Sequence, residues 1–426
     1  MGDVWSRLIE FCEELSFYAL SYQRALFPYF ALHDHVHARN VVQYAREISE
    51  YVGAANPAQI ALLESTAYLH DCGMALPPKL INKLELTEGE VEKYSPGTLG
   101  ELKGVLGDAY RSYFQNGALE LNAGSGAPLS ALDAYVVRKL HPLIGARYVE
   151  RYLKNLIGEA ELHPLKLEEV LEAMAALIRC HDQRVEAGGS SKCFEQYTKP
   201  CRAGGYVLDL GRLARALRAA DAMDLSRGRA EFAYEHLVED IKEKAPSQLK
   251  HWIFKMAVRS VRVDHWRKAL LIGVEAGGGE EERRTRLLGV LAFEIAEHLI
   301  PKWEVNLGVT TVLGETEKDL QRMRGDLEKA NECLKGVKLK DLEAVSGPAS
   351  SYASQLSDKL RLEMVNASSD PGSKGPWVDK LMKKFDLFDA LAHALYEEES
   401  AVLRNLLEYA AKKCPRAKLL LKEFQL

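Results

Sequence analysis

Apolar side chains recur at steps of three and four residues through most of this chain, and that period dictates helices. Ala, Leu, Glu, Arg and Lys dominate the same stretches, and all are good helix formers. The pattern predicts helices over about 3–26, 36–52, 57–72, 87–94, 129–140, 142–157, 166–182, 209–225 and 230–243. The helical regions are interrupted by NAGSGAPLS (122–130) and by a glycine-rich stretch from about 184 to 207,. Only 260–276 reads differently: VRV and ALLIGVE predict a small β-hairpin before a further helix over 283–300,. The fold class expected from the pattern is therefore all-α.

At 426 residues the chain is long enough for two or three domains, and 47% hydrophobic residues supply a large core,. After Pro301 the text turns polar and heptad-like, in ETEKDLQRMRGDLEKANECLKG. SGPASSYAS (346–354) and NASSDPGSKGPW read as linkers, and two amphipathic helices close the chain over about 377–397 and 399–423,. Their stripes are Leu381, Phe385, Phe388 and Leu391, then Leu403, Leu407, Ala410 and Ala411. Asp389 and His393 fall off the first stripe and read as helix surface. The expected domains are 1–301 and 302–426.

Several polar residues sit on apolar stripes, where burial without a partner costs several kcal/mol. His37 opens a helix whose inner face is Val41, Tyr44, Ala45 and Ile48. His70 shares a face with Leu63, Thr66 and Ala67, and Asp71 follows it. His181 follows Val170, Met174 and Leu177, and Asp221 follows Leu210, Leu213 and Leu217. His141 precedes Pro142, which places it at the expected start of a helix,. One buried histidine is more often a hydrogen-bonded core residue than a ligand, and Arg215 or Arg218 could pair with Asp221,. Six such residues together point elsewhere: imidazole and carboxylate ligands suit divalent transition metals, and a bound metal would compensate their burial.

The remaining global features exclude more than they identify. With 56 basic and 61 acidic residues, net −5, there is no strong field for nucleic acid or a membrane surface,. There is no apolar run of bilayer length, and the N-terminal stretch reads as an amphipathic helix, not a signal peptide,. Seven scattered cysteines without CxxC fit a reducing cytoplasm, with Cys193 and Cys201 the nearest pair that could bridge,.

Five segments carry a resemblance: HARNVV (37–42), AYLHDCGM (67–74), KLHPLIGARYVE (139–150), IRCHDQ (178–183) and RAADAMDLSRGR (218–229). Their order, H…HD…H…H…D, resembles the signature of the HD-domain superfamily of metal-dependent phosphohydrolases, over about residues 31–230. The HPxxGA segment is similar to that of the HD-GYP branch. That branch carries lysine where Met74 stands and a GYP after the histidine matching His181; this chain has neither, so cyclic di-GMP is not implied as its substrate.

The resemblance implies an HD-domain helical bundle and a cytoplasmic metal-dependent phosphoric ester hydrolase. It implies that His37, His70, Asp71 and Asp221 hold one metal. Asp71 would bridge to a second metal held by His141 and His181, with Asp71 and His70 central to catalysis. The cofactor would be one or two divalent ions among Mn, Mg, Fe, Ni and Zn. Arg39, Arg184, Arg227 and Arg229 lie beside the motifs and are the candidate phosphate partners,. Asp224 is a candidate to orient a ligand, and His33 and His35 are additional histidines, His33 one turn before His37. The expected substrate is a small phosphorylated molecule of nucleotide type. Two other readings use the same layout: a di-iron oxygenase, as in the inositol oxygenase branch, and a nucleotide-sensing module without turnover. Residues 302–426 are expected to regulate access or to mediate homo-oligomerisation.

Overall fold

The computed structural model describes residues 2–414 except Leu32, Ala55, Pro96, 123–127, 158–165, 183–200, 204–205, 226–230, Arg267, 275–307, 314–315, 320–333, Lys335, 345–346, 367–375 and 397–399. The described residues form two compact units, one within Met1–Asp224 and one within Leu225–Ile300 and Leu307–Leu426. This division is earlier in the chain than a boundary at 301, a position outside the described residues.

The first unit is a helical bundle. Its main helices are α1 (Gly2–Ser21), α2 (His35–Ser49), α3 (Pro57–Leu69), α4 (Glu88–Tyr94), α5 (Thr98–Leu106), α6 (Ala131–Tyr148), α7 (Leu167–Cys180) and α8 (Leu210–Met223). A short antiparallel ribbon, β1 (Cys201–Ala203) with β2 (Tyr206–Leu208), precedes α8. Helix α3 is central: it packs against α1, α2 and α7, and its residues from Ala61 to Leu69 are all buried. The expected inner faces of α2, α7 and α8 are buried, through Val41 and Ile48, Val170 and Leu177, and Leu213 and Leu217. Helix starts follow local chemistry. The Asp34 carboxylate accepts from the amides of Val36 and His37, which fixes His37 in the first turn of α2,.

Pro142 does not begin a helix. It lies inside α6, which runs unbroken from Ala131 to Tyr148. A proline there removes one amide and leaves the carbonyl of Arg138, four residues back, without its helical partner. That carbonyl has another use, described below. The 3-10 turn Cys72–Met74 packs directly on α6, and the approach depends on glycine. A Cβ on Gly73 would lie 2.1 Å from the His141 carbonyl oxygen and 2.7 Å from the Gly145 nitrogen. One on Gly145 would meet Cys72 Sγ and the Gly73 nitrogen at 3.2 Å. The two glycines therefore set the distance between the turn that follows Asp71 and the helix that carries His141.

The second unit has helices α9 (Glu231–Lys244), α10 (Leu249–Ala257), α11 (Pro348–Asn366), α12 (Pro376–Met382), α13 (Leu387–Tyr396) and α14 (Ser400–Lys413). Its sheet has the order β3 (Val258–Asp264), β4 (Ala269–Val274), β5 (Gly308–Leu313), β6 (Thr316–Asp319). The β3–β4 hairpin matches the sequence expectation; the parallel pairing of β4 with β5 does not follow from it. Thr316–Asp319, expected to open a heptad-like stretch, is a strand antiparallel to β5. Part of the expected linker 346–354 is helix: Pro348 stands at the start of α11, where its fixed φ is favourable, and Ala349, Ala353, Leu356 and Leu360 are buried. Asp389 and His393 are buried rather than exposed. His393 Nε2 lies 2.8 Å from the Pro246 carbonyl, and Lys250 Nζ lies 3.1 Å from Asp389 Oδ1. The helix 283–300 and the expected linker at 367–375 lie outside the described residues.

Candidate metal centre

His37, His70, Asp71, His141 and His181 are all at most 2% exposed, a depth at which polar groups require partners,. The helices bring their side chains to one place. His37 comes from the first turn of α2, His70 and Asp71 from the end of α3, His141 from α6, His181 from the end of α7 and Asp221 from α8.

The four imidazoles are fixed in the same way. Nδ1 of His70 bonds the Ala67 carbonyl at 2.7 Å, that of His141 the Arg138 carbonyl at 2.8 Å, and that of His181 the Ile178 carbonyl at 2.7 Å. His70 and His181 find their carbonyls in the last turn of a helix, where regular bonding ends; the Ile178 carbonyl also accepts from the His181 amide at 3.4 Å,. His141 finds one because Pro142 cannot donate to it. His37 sits at a helix N-terminus, where amides rather than carbonyls are free. Its Nδ1 instead meets the buried Asp224 carboxylate at 2.7 Å, which also accepts from Asn40 at 3.0 Å. Since these acceptors cannot donate, every Nδ1 carries its proton and every Nε2 faces the centre.

There the Nε2 atoms pair. His37 and His70 are 3.2 Å apart, and His141 and His181 are 3.1 Å apart. Two neutral imidazoles of this tautomer would point lone pairs at each other. Asp71 lies between the pairs. Its Oδ2 is 3.3 Å from His37 Nε2 and 3.2 Å from that of His70; its Oδ1 is 3.4 Å from His141 Nε2 and 3.5 Å from that of His181. Asp221 Oδ1 joins the first pair, 3.4 Å from His37 Nε2. Asp71 Oδ2 is buried and makes no hydrogen bond. A cation between the nitrogens and carboxylate oxygens resolves both the facing lone pairs and the orphaned oxygen. The ligand atoms of His37, His70 and Asp221 lie within 4.8 Å of one another, as do those of His70, Asp71 and His181. Nitrogen and oxygen donors in these numbers fit a divalent transition metal.

The electrostatics are consistent with a site built for cations. Burial works against charging His70, but the Asp71 and Asp221 carboxylates outweigh it and raise the imidazole to about 10. Burial opposes ionisation of Asp71, yet the charge of the adjacent His70 holds its carboxyl well below the usual range. Burial pushes the His181 imidazole down and the Cys72 thiol up to about 12, so Cys72 does not offer a thiolate,. Cys12, Cys72 and Cys414 are free and buried, whereas Cys180, next to His181, is disulfide-bonded. A pairing of Cys193 with Cys201 is not among the described side chains.

Not every sequence candidate reaches the centre. Arg39 is exposed on α2, 3.8 Å from Glu13. Arg184, Arg227 and Arg229 lie outside the described residues. His35 bonds Ser16 Oγ at 2.8 Å and stacks on Tyr68. Asn40 and Arg138 carried no motif signal; each matters only through a contact made in three dimensions.

A helical bundle that gathers four histidines and two aspartates from five helices defines an HD-type metal-binding domain. The chain belongs to the HD-CE family, an HD-domain family whose model matches residues 27–292. No curated protein and no solved structure matches the chain significantly. Among the described residues no helix is long and apolar enough to cross a membrane.

Proposed function

We propose that this protein is a metal-dependent phosphohydrolase or phosphodiesterase acting on a nucleotide or related phosphate ester. The observation that carries the reading is the position of Asp71, whose two oxygens face two different histidine pairs. In this reading His37, His70, Asp71 and Asp221 form one metal set, and Asp71, His141 and His181 form a second. Divalent metals bound there would lower the pKa of a coordinated water and draw charge from a phosphate oxygen. The chain's own part is to hold the set rigid. Three backbone carbonyls and the Asp224 carboxylate fix the imidazole orientations, and the Gly73–Gly145 contact fixes the spacing of Asp71 and His141,. Arg184, Arg227 and Arg229 enter the proposal as phosphate partners, whereas Arg39, exposed beside Glu13, does not. Residues 302–426 enter it as a regulatory or oligomerisation region, and the cytoplasm as the compartment.

The test is a hydrolysis panel of nucleotides and cyclic dinucleotides with the full chain, supplied in turn with Mn2+, Mg2+, Fe2+, Ni2+ and Zn2+. The wild type is expected to release phosphate or a nucleotide product from one class, and Asp71→Ala to lose that activity while remaining folded. Undiminished turnover in Asp71→Ala refutes the reading. Oxygen consumption by the iron-loaded chain without ester cleavage would transfer the site to the oxygenase class.

A further inference from the structure

Arg138 stands on α6 one turn before His141, half-buried. The other two cations of that helix are matched by carboxylates: Lys139 lies 3.0 Å from Glu101 and Arg147 3.2 Å from Glu90. No carboxylate among the described residues lies within ion-pair distance of Arg138. Its guanidinium is nonetheless held in place. Nη1 donates to His33 Nε2 at 3.3 Å and to Met74 Sδ at 3.4 Å. His33 is set to accept, because its Nδ1 bonds the Ala31 carbonyl at 2.6 Å and so carries the ring proton. This fifth histidine thus shares the tautomer of the four in the centre, but it directs its Nε2 at a guanidinium.

Both holders border the centre. Met74 closes the turn that follows Asp71, and the His33 ring lies 5.5 Å from that of His37, edge to face. With Nη1 engaged, the Nε–Nη2 edge of Arg138 has no hydrogen-bond partner among the described residues. That edge is a planar two-donor fork, which matches two oxygens of one phosphate. A half-buried charge without a counter-charge also has an electrostatic demand for an anion. The geometry points to Arg138, positioned by His33, as a phosphate-binding subsite beside the metal centre. This deepens the phosphohydrolase reading and rests on it for the identity of the substrate group.

Inorganic phosphate is the probe, titrated by calorimetry into the full chain loaded with Mn2+. Wild type is expected to bind it, and Arg138→Met to weaken binding at least tenfold with Mn2+ content and melting temperature unchanged. Arg138→Gln should do the same, and it decides the matter if the Met variant fails to fold. His33→Ala, which removes the acceptor but not the charge, should weaken binding less than either. On a phosphomonoester that the wild type hydrolyses, the loss should fall on KM more than on kcat. Absence of phosphate binding in the wild type, or binding within twofold of wild type in the Arg138 variants, overturns the inference. Phosphate binding through Arg138 in a chain that cleaves no ester would refute the hydrolase reading and leave the subsite standing. Ester cleavage with unchanged phosphate affinity in the variants would do the reverse.

Discussion

Replacing Asp224 with alanine tests whether the imidazole orientations are designed for metal. The Asp224 carboxylate meets His37 Nδ1 at 2.7 Å with both side chains at 0% exposure, and its backbone amide, which the substitution keeps, donates to the Asp221 carbonyl at 3.2 Å. Loss of the carboxylate leaves the His37 N–H buried without an acceptor, a cost of about 1–3 kcal/mol. Removing the partner of a ligating histidine typically lowers metal affinity about 10–100-fold, roughly 1.4–2.7 kcal/mol, which agrees with that cost. Asp224→Ala should therefore bind Mn2+ or Zn2+ about 10–100-fold more weakly than wild type. Asp224→Asn should lose less, because its amide oxygen can still accept from Nδ1 and Asn40 can turn its own oxygen to the new amide. Competition with a chromogenic chelator measures both, with near-ultraviolet circular dichroism as the check of packing. An alanine variant within twofold of wild-type affinity would refute the reasoning, since His37 would then need no orienting partner.

Gly73→Ala places a methyl 2.1 Å from the His141 carbonyl oxygen, so the turn or α6 must move. Overpacking of this kind costs about 1–3 kcal/mol, and here backbone atoms are the obstacle, so a lowered melting temperature and weakened metal binding should appear together; unchanged values contradict the close approach. Chelator-stripped protein should show a pH signature. His70 is raised from 6.5 to about 10, so the stability it contributes is complete below 6.5 and is lost as pH rises through about 10,. The melting temperature of the stripped protein should fall across that window. Metal uptake at pH 7–8 should release a proton from His70, whose imidazole is raised to about 10 in the metal-free site, read by calorimetry in buffers of different ionisation heat; uptake without proton release contradicts that raised imidazole,.

Much of the site was legible because its ligands break a pattern. Polar residues on apolar stripes at His37, His70, His181 and Asp221 stand out by period alone, and all are brought together. His141 was harder to place. Pro142 reads as a helix start, but it lies within α6, where its missing amide frees the carbonyl that His141 uses. The local proline rule points to a boundary; tertiary packing kept the helix and turned the defect into a hydrogen bond. Asp224 was visible as a candidate, but its attachment to His37 spans 187 residues and follows from no spacing. Arg138 left no trace because its meaning depends on which carboxylates are distant. In the second unit, β5 was missed because a parallel partner 30 or more residues away gives no local signal. His393 was misread because the burial of α13 is wider than its strongest apolar stripe.

The central claim is that Asp71 joins two metal positions. Metal analysis of the Mn2+-saturated full chain, with electron paramagnetic resonance on the same sample, tests it most directly. The account predicts two ions per chain with a spin-coupled spectrum, falling to one uncoupled ion in His141→Ala. A saturated wild type holding a single uncoupled ion, or none, would contradict it.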